Sequence, residues 1–219
     1  MPGDLGQSDR SAQRPLLLDL FCGAGGAAVG YHRAGFDVIG VDIDPQPHYP
    51  FEFVQADAMT YPLEGFNAIH ASPPCQAFTN ARVIHGREHP DLLTPTRERL
   101  AETPVPWVIE NVPGAPMRPD LKLCGCQFAL RSDRGMLARE RWFEFHRPMF
   151  AMRPKCWHPD AIISVFGHGG HVYHGVEDWR QVMGIDWMTR DELAQAIPPA
   201  FTEHVADYLL SELGLGVAA

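Results

Sequence analysis

LLLDLFCGAGG, at residues 16–26, is the stretch that decides the fold. Four leucines around Asp19 predict a buried strand, and the glycines that follow allow a tight turn into a helix over residues 27–34. The glycine spacing from Gly23 is G-x-G-G, which differs from the G-x-G-x-x-G of dinucleotide-binding proteins. The free N–H groups at the start of the helix can still bind a ligand. A strand–turn–helix unit with a ligand-binding turn is therefore predicted.

A second predicted strand ends in an acid. Residues 38–42 read VIGVD, and Asp42 follows the glycine turn by about twenty residues, the position from which an acid accepts hydrogen bonds from ribose hydroxyls. Asp42 could instead cap a helix or hold a turn. The sequence leaves both interpretations open.

A cysteine follows the next predicted strand. The apolar residues 66–71 precede SPPCQ at residues 72–76, where two prolines fix the backbone and stiffen the turn. Cys75 then lies at the carboxyl end of a strand, where open α/β sheets bind their ligands. The alternative is a buried structural cysteine, since free cysteines are among the most buried residues.

A glutamate ends another apolar strand. Residues 106–113 read PWVIENVP, so Glu110 is expected at the carboxyl end of the strand and partly removed from water. Burial raises the pKa of a carboxyl group and lets it act as an acid near neutral pH. Glu110 could also merely cap or pair at the strand end. In the functional interpretation, a thiol and a carboxylic acid meet at one edge of the sheet.

In type and order these motifs resemble those of the DNA (cytosine-5)-methyltransferases, from residue 16 to about residue 213. Further similarities are the Arg139-Glu140-Arg141 triplet and Ile197-Pro198-Pro199-Ala200 near the C-terminus. The resemblance implies an α/β, Rossmann-like fold of the S-adenosylmethionine-dependent methyltransferases, with a mostly parallel sheet and helices on both faces. It also implies an enzyme that methylates C5 of cytosine in double-stranded DNA, as in restriction-modification systems.

The resemblance carries site residues over to this chain. Its catalytic residues are Cys75, Glu110, Arg139 and Arg141. S-adenosylmethionine is expected to contact Asp19, Phe21, Gly23, Gly25, Gly26, Asp42, Ile43, Asp57, Ala58 and Pro74, with Asp42 on the ribose and Asp57 on the adenine. Substrate contacts are expected from Gln76, Asn111 and Val112. The mechanism implied is attack of the Cys75 thiolate on cytosine C6, on a base flipped out of the helix.

Two departures from the family pattern set the expected domain boundaries. Gln195-Ala196 stand where the family has Gly-Asn, and the target-recognition domain is reduced to residues 149–174, too short for a core of its own. We expect a disordered tail over residues 1–14, a catalytic and cofactor-binding core over 15–148, a minimal recognition insert over 149–174, and a segment over 175–219 that completes the core. A partner chain could supply sequence recognition.

Composition fits one domain of 219 residues, 45% of them hydrophobic. We find no apolar run of about 18 residues, hence no membrane span. Five cysteines, an odd number, argue for a reducing compartment, expected to be the cytoplasm of a bacterial or phage-infected cell. A net charge of −9 is unusual for a DNA-binding enzyme. Two groups of arginines flank the site and could form a basic face: Arg82, Arg87, Arg97 and Arg99, then Arg131, Arg134, Arg139, Arg141 and Arg147.

Three alternative functions remain open from the sequence. The first is the same chemistry on RNA or on a free cytosine nucleotide, favoured by the acidic charge and the short insert. The second is a non-catalytic, methyltransferase-like partner that binds DNA, and the third is a module that only binds the cofactor. Cys75, Glu110 and the glycine turn together argue against the last two.

A zinc site is considered and not predicted. Cys124, Cys126, Cys156 and His158 form a ligand set that structural zinc accepts, but the C-x-C and C-x-H spacings are tighter than the common C-x₂₋₄-C. His168, His171 and His174 are interpreted as loop residues. No metal is expected.

The second half of the chain gives weaker structural signals. A helix is predicted over residues 94–100 with Thr94 as N-cap, strands over 121–128 and 142–145, and a helix over 202–213 with Thr202 as N-cap and Gly214 as the stop. An apolar run over residues 162–166 is noted as well.

Overall fold

The computed structural model describes residues 14–75, 78, 91–149, 155–158, 161–166 and 175–216. Seven strands form the main sheet, and three short strands form a second one. In chain order the strands are β1 Leu16–Leu20, β2 Asp37–Asp42, β3 Glu52–Gln55, β4 Ala68–Ala71, β5 Trp107–Asn111, β6 Leu121–Cys124, β7 Arg131–Ser132, β8 Gly135–Leu137, β9 Glu140–Phe145 and β10 Ile162–Ile163. The helices are α1 Gly26–Arg33, α2 Leu93–Ala101, α3 Val176–Met183, α4 Arg190–Gln195 and α5 Pro199–Glu212, with a 3₁₀ turn at Gly125–Phe128.

The strand order of the main sheet is β3-β2-β1-β4-β5-β9-β6. The first five strands are parallel, and β9 runs antiparallel between β5 and β6. The chain moves outward from β1 to β3 and then returns to place β4 on the other side of β1. Open α/β sheets bind ligands at such a reversal of strand order, outside the carboxyl ends of the strands.

Both faces of the main sheet are covered, as the predicted fold class requires. Alternate residues of β1 separate into two cores: Leu17 packs with α1 and α5, and Leu18 packs with α2. Strands buried on both faces are almost wholly apolar, which explains the continuous leucine run of β1. A third core joins α3 and α4 to the small sheet through Leu137, Ile163 and neighbouring residues.

Helices α1 and α5 pack against each other closely. A Cβ on Gly30 would fall against Thr202 Oγ1 and the Pro199 carbonyl, so only glycine fits there. Thr202 is fully buried, and its hydroxyl donates to the Ala27 carbonyl at 2.8 Å. The prediction of Thr202 as N-cap is wrong, since α5 begins three residues earlier, at Pro199. Proline is favoured at the first position of a helix.

Two more local predictions are corrected. Helix α2 begins at Leu93, and it is Asp91 that accepts from the Leu93 N–H (2.8 Å) and the Thr94 N–H (3.3 Å). The strand predicted over residues 121–128 ends at Cys124, because the 3₁₀ turn follows at once. The strand predicted over 142–145 begins two residues earlier, at Glu140.

Most of the predicted tail and insert lie outside the described residues, and they stay predictions. Arg14 is described, and its guanidinium donates to the carbonyls of Gly35 (3.1 Å), Phe36 (2.7 Å) and His32. The chain is therefore anchored from Arg14 onward, one residue inside the predicted tail. Among the described helices none has the length and apolar composition needed to cross a bilayer.

Candidate active site

The turn after β1 has the backbone of a ligand-binding loop. Phe21, Gly23 and Gly25 all have positive φ, at 58°, 49° and 84°. Gly25, in the left-handed region, forms the N-cap of α1 without any side-chain cap. The first N–H groups of the helix are therefore left for other partners.

The three predicted cofactor glycines have different roles in this turn. A Cβ on Gly25 would lie 2.6 Å from Pro50 Cδ, and one on Gly26 would lie 2.5 Å from the Ile197 carbonyl oxygen. Gly23 has no atom within 4 Å of its Cβ position. Gly25 and Gly26 are thus required by packing within the protein, and Gly23 is the glycine that faces open space beside the turn.

Asp19 is a fully buried carboxylate whose oxygens have no hydrogen-bond partner within the described part of the chain. Burial raises its pKa well above the usual value, and the nearby charge of Asp42 raises it further. Tyr49 lies beside it, but the Tyr49 hydroxyl also lacks a hydrogen bond of normal geometry. A buried acceptor without a partner, next to an open glycine turn, fits a ligand that brings its own donors.

Asp42 and Asp57 lie at the same edge of the sheet. Asp42 ends β2, and its carboxylate accepts from the backbone N–H groups of Gly23 and Asp44, both at 3.0 Å. The Ala56 N–H donates to the Asp42 carbonyl at 3.0 Å, which places Asp57 and the buried Ala58 beside it. Ile43 is 65% exposed next to Asp42 and offers an apolar surface at this edge.

Cys75 is held by a turn after β4 that β5 supports. Asn111 Nδ2 donates to the Pro73 carbonyl at 2.9 Å, and the Asn111 amide oxygen accepts from the Val112 N–H at 2.9 Å. Asn111 therefore ties the Pro73-Pro74-Cys75 turn to the neighbouring strand. Gln76, predicted to contact the substrate, lies outside the described residues.

Glu110 and Arg141 face each other in a buried pair. Arg141 Nε lies 2.8 Å from Glu110 Oε1, although the two groups lack the alignment of a hydrogen bond. Glu110 belongs to β5 and Arg141 to its antiparallel neighbour β9, so the sheet itself brings them together. Burial raises the pKa of Glu110, an effect that Arg141, Arg139 and Ser72 oppose only in part. The carboxyl group thus keeps its proton to higher pH than an exposed glutamate.

Cys75 shares the electrostatic field of this pair. Burial raises the pKa of its thiol, Arg141 and Arg139 lower it, and Glu110 raises it. Thiol, acid and guanidinium are therefore close enough to influence one another's ionisation. Arg141 favours the thiolate form that a nucleophile needs.

Arg139 lies close enough to Cys75 and Glu110 to lower the pKa of both, but its terminal nitrogens bind elsewhere. It is 2% exposed, and its guanidinium donates to the carbonyls of Ala194 (2.9 Å), Ala196 (2.7 Å) and Val165. These carbonyls belong to the segment before α5 and to the segment after β10. The contacts of Arg139 make it a clamp between distant parts of the chain, whereas Arg141 lies beside Glu110.

A chain of buried polar side chains behind Glu110 was not identified from the sequence. Tyr31 OH lies 2.9 Å from His70 Nδ1, His70 Nε2 lies 2.7 Å from Ser72 Oγ, and the Ser72 hydroxyl lies against Glu110. Burial lowers the pKa of His70 to about 3, so the ring is neutral. One donor order satisfies every group: Tyr31 donates to His70, His70 to Ser72, and Ser72 to Glu110. The available signal was the histidine inside an otherwise apolar strand.

The described arginines of the predicted basic face divide into a set with close protein partners and a set that is largely exposed. Arg97 pairs with Glu144 at 2.9 Å, and Arg99 donates to the carbonyls of Ala58 and Tyr61. Arg139 and Arg141 are engaged in the contacts given above. Arg82 and Arg87 lie outside the described residues. Arg134 and Arg147 lie 3.5 Å from Asp178 and Glu212, and their side chains are 69% and 73% exposed, so the second group keeps positive charge at the surface.

Comparison with known proteins points to one family. Residues 16–120 match the family model of the C-5 cytosine-specific DNA methylases. The chain is 32% identical over 124 residues to the Type II methyltransferase M.AquIA of Picosynechococcus sp., which covers 45% of this chain and 48% of that protein. It is 58% identical over 33 residues to the Type II methyltransferase M.XorII of Xanthomonas oryzae pv. oryzae, covering 15% of this chain and 8% of that protein. The chain thus spans about half the length of the first relative and a small part of the second.

Two solved structures have the same fold at low identity. They are the Entamoeba histolytica methyltransferase EhMeth, with a TM-score of 0.64 and 13% identity, and the S. pombe Dnmt2 methyltransferase, with 0.60 and 14%. Each alignment covers 91% of this chain and 99% of the solved chain. These similarities support the fold. The family match over residues 16–120 runs from the start of β1 to the residue before β6, so it includes Cys75 after β4 and Glu110 in β5. The similarity to the C-5 cytosine-specific DNA methylases thus covers residues 16–120, just under half of the chain.

Proposed function

We propose that this protein transfers a methyl group from S-adenosylmethionine to C5 of cytosine in DNA, with Cys75 as the nucleophile. The observation that carries the proposal is the meeting of Cys75, Glu110 and Arg141 beside the glycine turn, at the reversal of strand order. The family match over residues 16–120 supports the same activity.

The turn after β1 fits S-adenosylmethionine. Asp42 would accept from the ribose hydroxyls, Ile43 would cover the adenine, and Asp57 would accept from the adenine amino group. Gly23 leaves room for the ligand, and the unpartnered carboxylate of Asp19 offers an acceptor. When bound, S-adenosylmethionine supplies a methyl group on a positively charged sulfur, which the activated C5 would accept.

Cys75 would begin the reaction by adding to the ring. The thiolate forms a carbon–sulfur bond with C6, and the electron pair of the C5–C6 double bond moves toward C5 and N3. Glu110, which keeps its proton through burial, donates it to N3 as this charge develops. After methylation, loss of the C5 proton to a base re-forms the C5–C6 double bond and expels the Cys75 thiolate, and N3 returns its proton to Glu110.

The supporting residues would act by position. Arg141 lowers the pKa of the Cys75 thiol and fixes the carboxyl group of Glu110. Asn111 fixes the cysteine turn through the Pro73 carbonyl. Arg139 is a positioning residue in this scheme, because its guanidinium nitrogens bind backbone carbonyls. A reduced Cys75 is required, so we place the reaction in a reducing cytoplasm.

The test is a covalent trap. Duplex DNA containing 5-fluorocytosine cannot lose a proton from C5, so the Cys75 adduct should accumulate as a complex that survives denaturing electrophoresis. Cys75→Ser should abolish the adduct and lower methyl transfer at least about a thousandfold. The matched control is Cys22→Ala, since the Cys22 sulfur is buried in the core and packs there. Adduct formation by Cys75→Ser would overturn the nucleophile assignment.

Parallel reactions on RNA and on free cytosine nucleotides identify the substrate class. Faster transfer to DNA than to either supports the proposal. Binding to long DNA should weaken with salt by several units of log affinity per log unit of concentration. Preference for RNA or for a nucleotide would replace DNA as the substrate and leave the Cys75 chemistry in place.

A further inference from the structure

We propose that Cys124, Cys126, Cys156 and His158 bind one structural zinc ion. The four side chains belong to two segments about thirty residues apart, the end of β6 with its 3₁₀ turn and the described residues 155–158. Their ligand atoms all lie within 4.8 Å of one another. Neither the family match nor the methyl-transfer chemistry involves this cluster, so the inference is independent of the proposed function.

The distances suit a shared ion. Cys126 Sγ and Cys156 Sγ are 3.0 Å apart, and His158 Nε2 lies 3.3 Å from Cys124 Sγ and 3.2 Å from Cys156 Sγ. In a tetrahedral zinc site with the usual bond lengths, ligand atoms are about 3.5–3.8 Å apart. Side-chain shifts of up to about 1 Å would therefore bring all four ligand atoms to the spacing that one ion requires. Three thiolates and one imidazole are among the ligand sets of structural zinc.

The 3₁₀ turn explains why the tight C-x-C spacing is compatible with the site. The chain reverses directly after Cys124, so the side chains of Cys124 and Cys126 reach the same centre. The reversal requires Gly125, whose Cβ would lie 2.6 Å from Leu137 Cβ. Gln127 fixes the turn through a reciprocal cap: its side chain accepts from the Cys124 N–H at 2.9 Å, and its N–H donates to the Cys124 sulfur. An N–H···S bond of this kind orients a thiolate ligand.

The ion would be structural because all four ligands come from the protein, which leaves no open position for a water or substrate. Its effect on the fold follows from the sheet. Cys124 pairs with Glu140, and Leu123 pairs with Arg141, in the β6–β9 ladder. Zinc would thus tie the segment after β9 to the strand that borders Arg141. Cys124 is buried, whereas His158 is exposed, so a chelator can reach the ion from one side.

Metal analysis of the full-length, reduced protein tests the proposal. We expect about one zinc per chain, and replacement by cobalt(II) should give thiolate-to-cobalt charge-transfer bands and the intense visible bands of tetrahedral coordination. Removing the ion with a chelator should lower the melting temperature by about 5 °C or more. A chain that binds neither ion in this titration overturns the proposal, with no variant needed.

Variants locate the ion. Cys156→Ser and His158→Ala should each lose most of the metal and the cobalt bands, while Cys75→Ser should keep both. Full metal content in Cys156→Ser and His158→Ala would place the ion elsewhere and overturn the assignment. Intact mass measured without reductant provides a further check: a loss of two hydrogens mapped to Cys126 and Cys156 in the purified protein would show a disulfide in place of the site.

Discussion

At the scale of single residues, burial shifts the pKa of both the acid and the thiol that we propose for the site. Glu110 is 5% exposed, and burial raises the pKa of its carboxyl group even with Arg141 Nε 2.8 Å from Oε1. Burial also raises the pKa of the Cys75 thiol, and Arg141 opposes that rise. Arg141 is therefore the residue that connects the two ionisations.

The pH dependence of kcat/KM should report both groups. The active Cys75 thiolate increases as pH rises, whereas the protonated Glu110 decreases as pH rises, so we expect a bell-shaped profile. The Glu110→Gln substitution keeps the size and shape of the side chain, but the amide cannot donate a proton as an acid does. It should lower the rate of methyl transfer by about a hundredfold or more. Methyl transfer measured across the pH range checks this, and a wild-type rate in Glu110→Gln would remove Glu110 as the acid.

Cofactor affinity should depend on Asp42. Asp42→Ala removes an ionised acceptor from the ribose and from the Gly23 N–H, so calorimetric affinity for S-adenosylmethionine should fall about tenfold or more. Asp57→Ala should cost less, because Asp57 would accept from a single neutral donor, the adenine amino group. Asp42→Asn, which keeps one oxygen, is the control and should bind better than the alanine variant. Equal affinity in all four proteins would contradict the assignment.

At the scale of elements, close packing of α1 against α5 and the residues before it explains two glycines, of which Gly26 was predicted to contact the cofactor. Gly26 meets the Ile197 carbonyl, and Gly30 meets Thr202 and Pro199. The segment before α5 is also bound by Arg139 through the carbonyls of Ala194 and Ala196. Gln195-Ala196, where the family pattern has Gly-Asn, thus contributes its backbone to the clamp.

Gly30→Ala separates helix propensity from packing. Alanine in a helix interior is favoured over glycine by about 1 kcal/mol, so propensity alone predicts a more stable protein. The added methyl group would overlap Thr202 and Pro199, so we expect a net loss of about 1–3 kcal/mol in the free energy of unfolding. Urea denaturation measures the sign, and a stabilised variant would show that the two helices can move apart.

At the scale of the whole molecule, two groups of strands in the main sheet carry two different sets of predicted site residues. Most of the predicted cofactor residues lie in or directly after β1 to β3. Cys75 follows β4, Glu110 belongs to β5 and Arg141 belongs to β9. The two groups meet at the reversal of strand order. The described part of the predicted recognition insert contributes β10 to the small sheet and two ligands to the proposed zinc site.

Sequence specificity should accordingly be low. Each bidentate base contact discriminates by about 1–3 kcal/mol, and residues 149–174 offer few such contacts, so we expect methylation in a context of about two to four base pairs. We expect residues 167–174 to contact the bases, because the glycines there allow close approach and the histidines can donate to base edges; this segment lies outside the described residues. Bisulfite sequencing of DNA from cells expressing this chain checks the prediction. One strict site of about six base pairs would contradict it, and methylation only with a second protein would place recognition on a partner chain.

Local chemistry determined much of this from the sequence. The leucine run, the glycine turn and the acid of β2 define a strand, a turn and a helix through short-range sterics, and the structure has them within one residue of their predicted bounds. The strands before Cys75 and through Glu110 are also present, although the first begins at Ala68, two residues inside the predicted apolar run.

What only the tertiary structure decided depends on contacts between distant residues. The insertion of β9 between β5 and β6 places Arg141 at Glu110 and directs Arg139 into a backbone clamp, a difference that two arginines spaced Arg-x-Arg do not reveal. The helix starts were misplaced at Thr94 and Thr202 because Asp91 and buried packing replaced the expected caps. The four metal ligands meet because a 3₁₀ turn and a segment some thirty residues away fold together, and spacing along the chain carries no information about that distance.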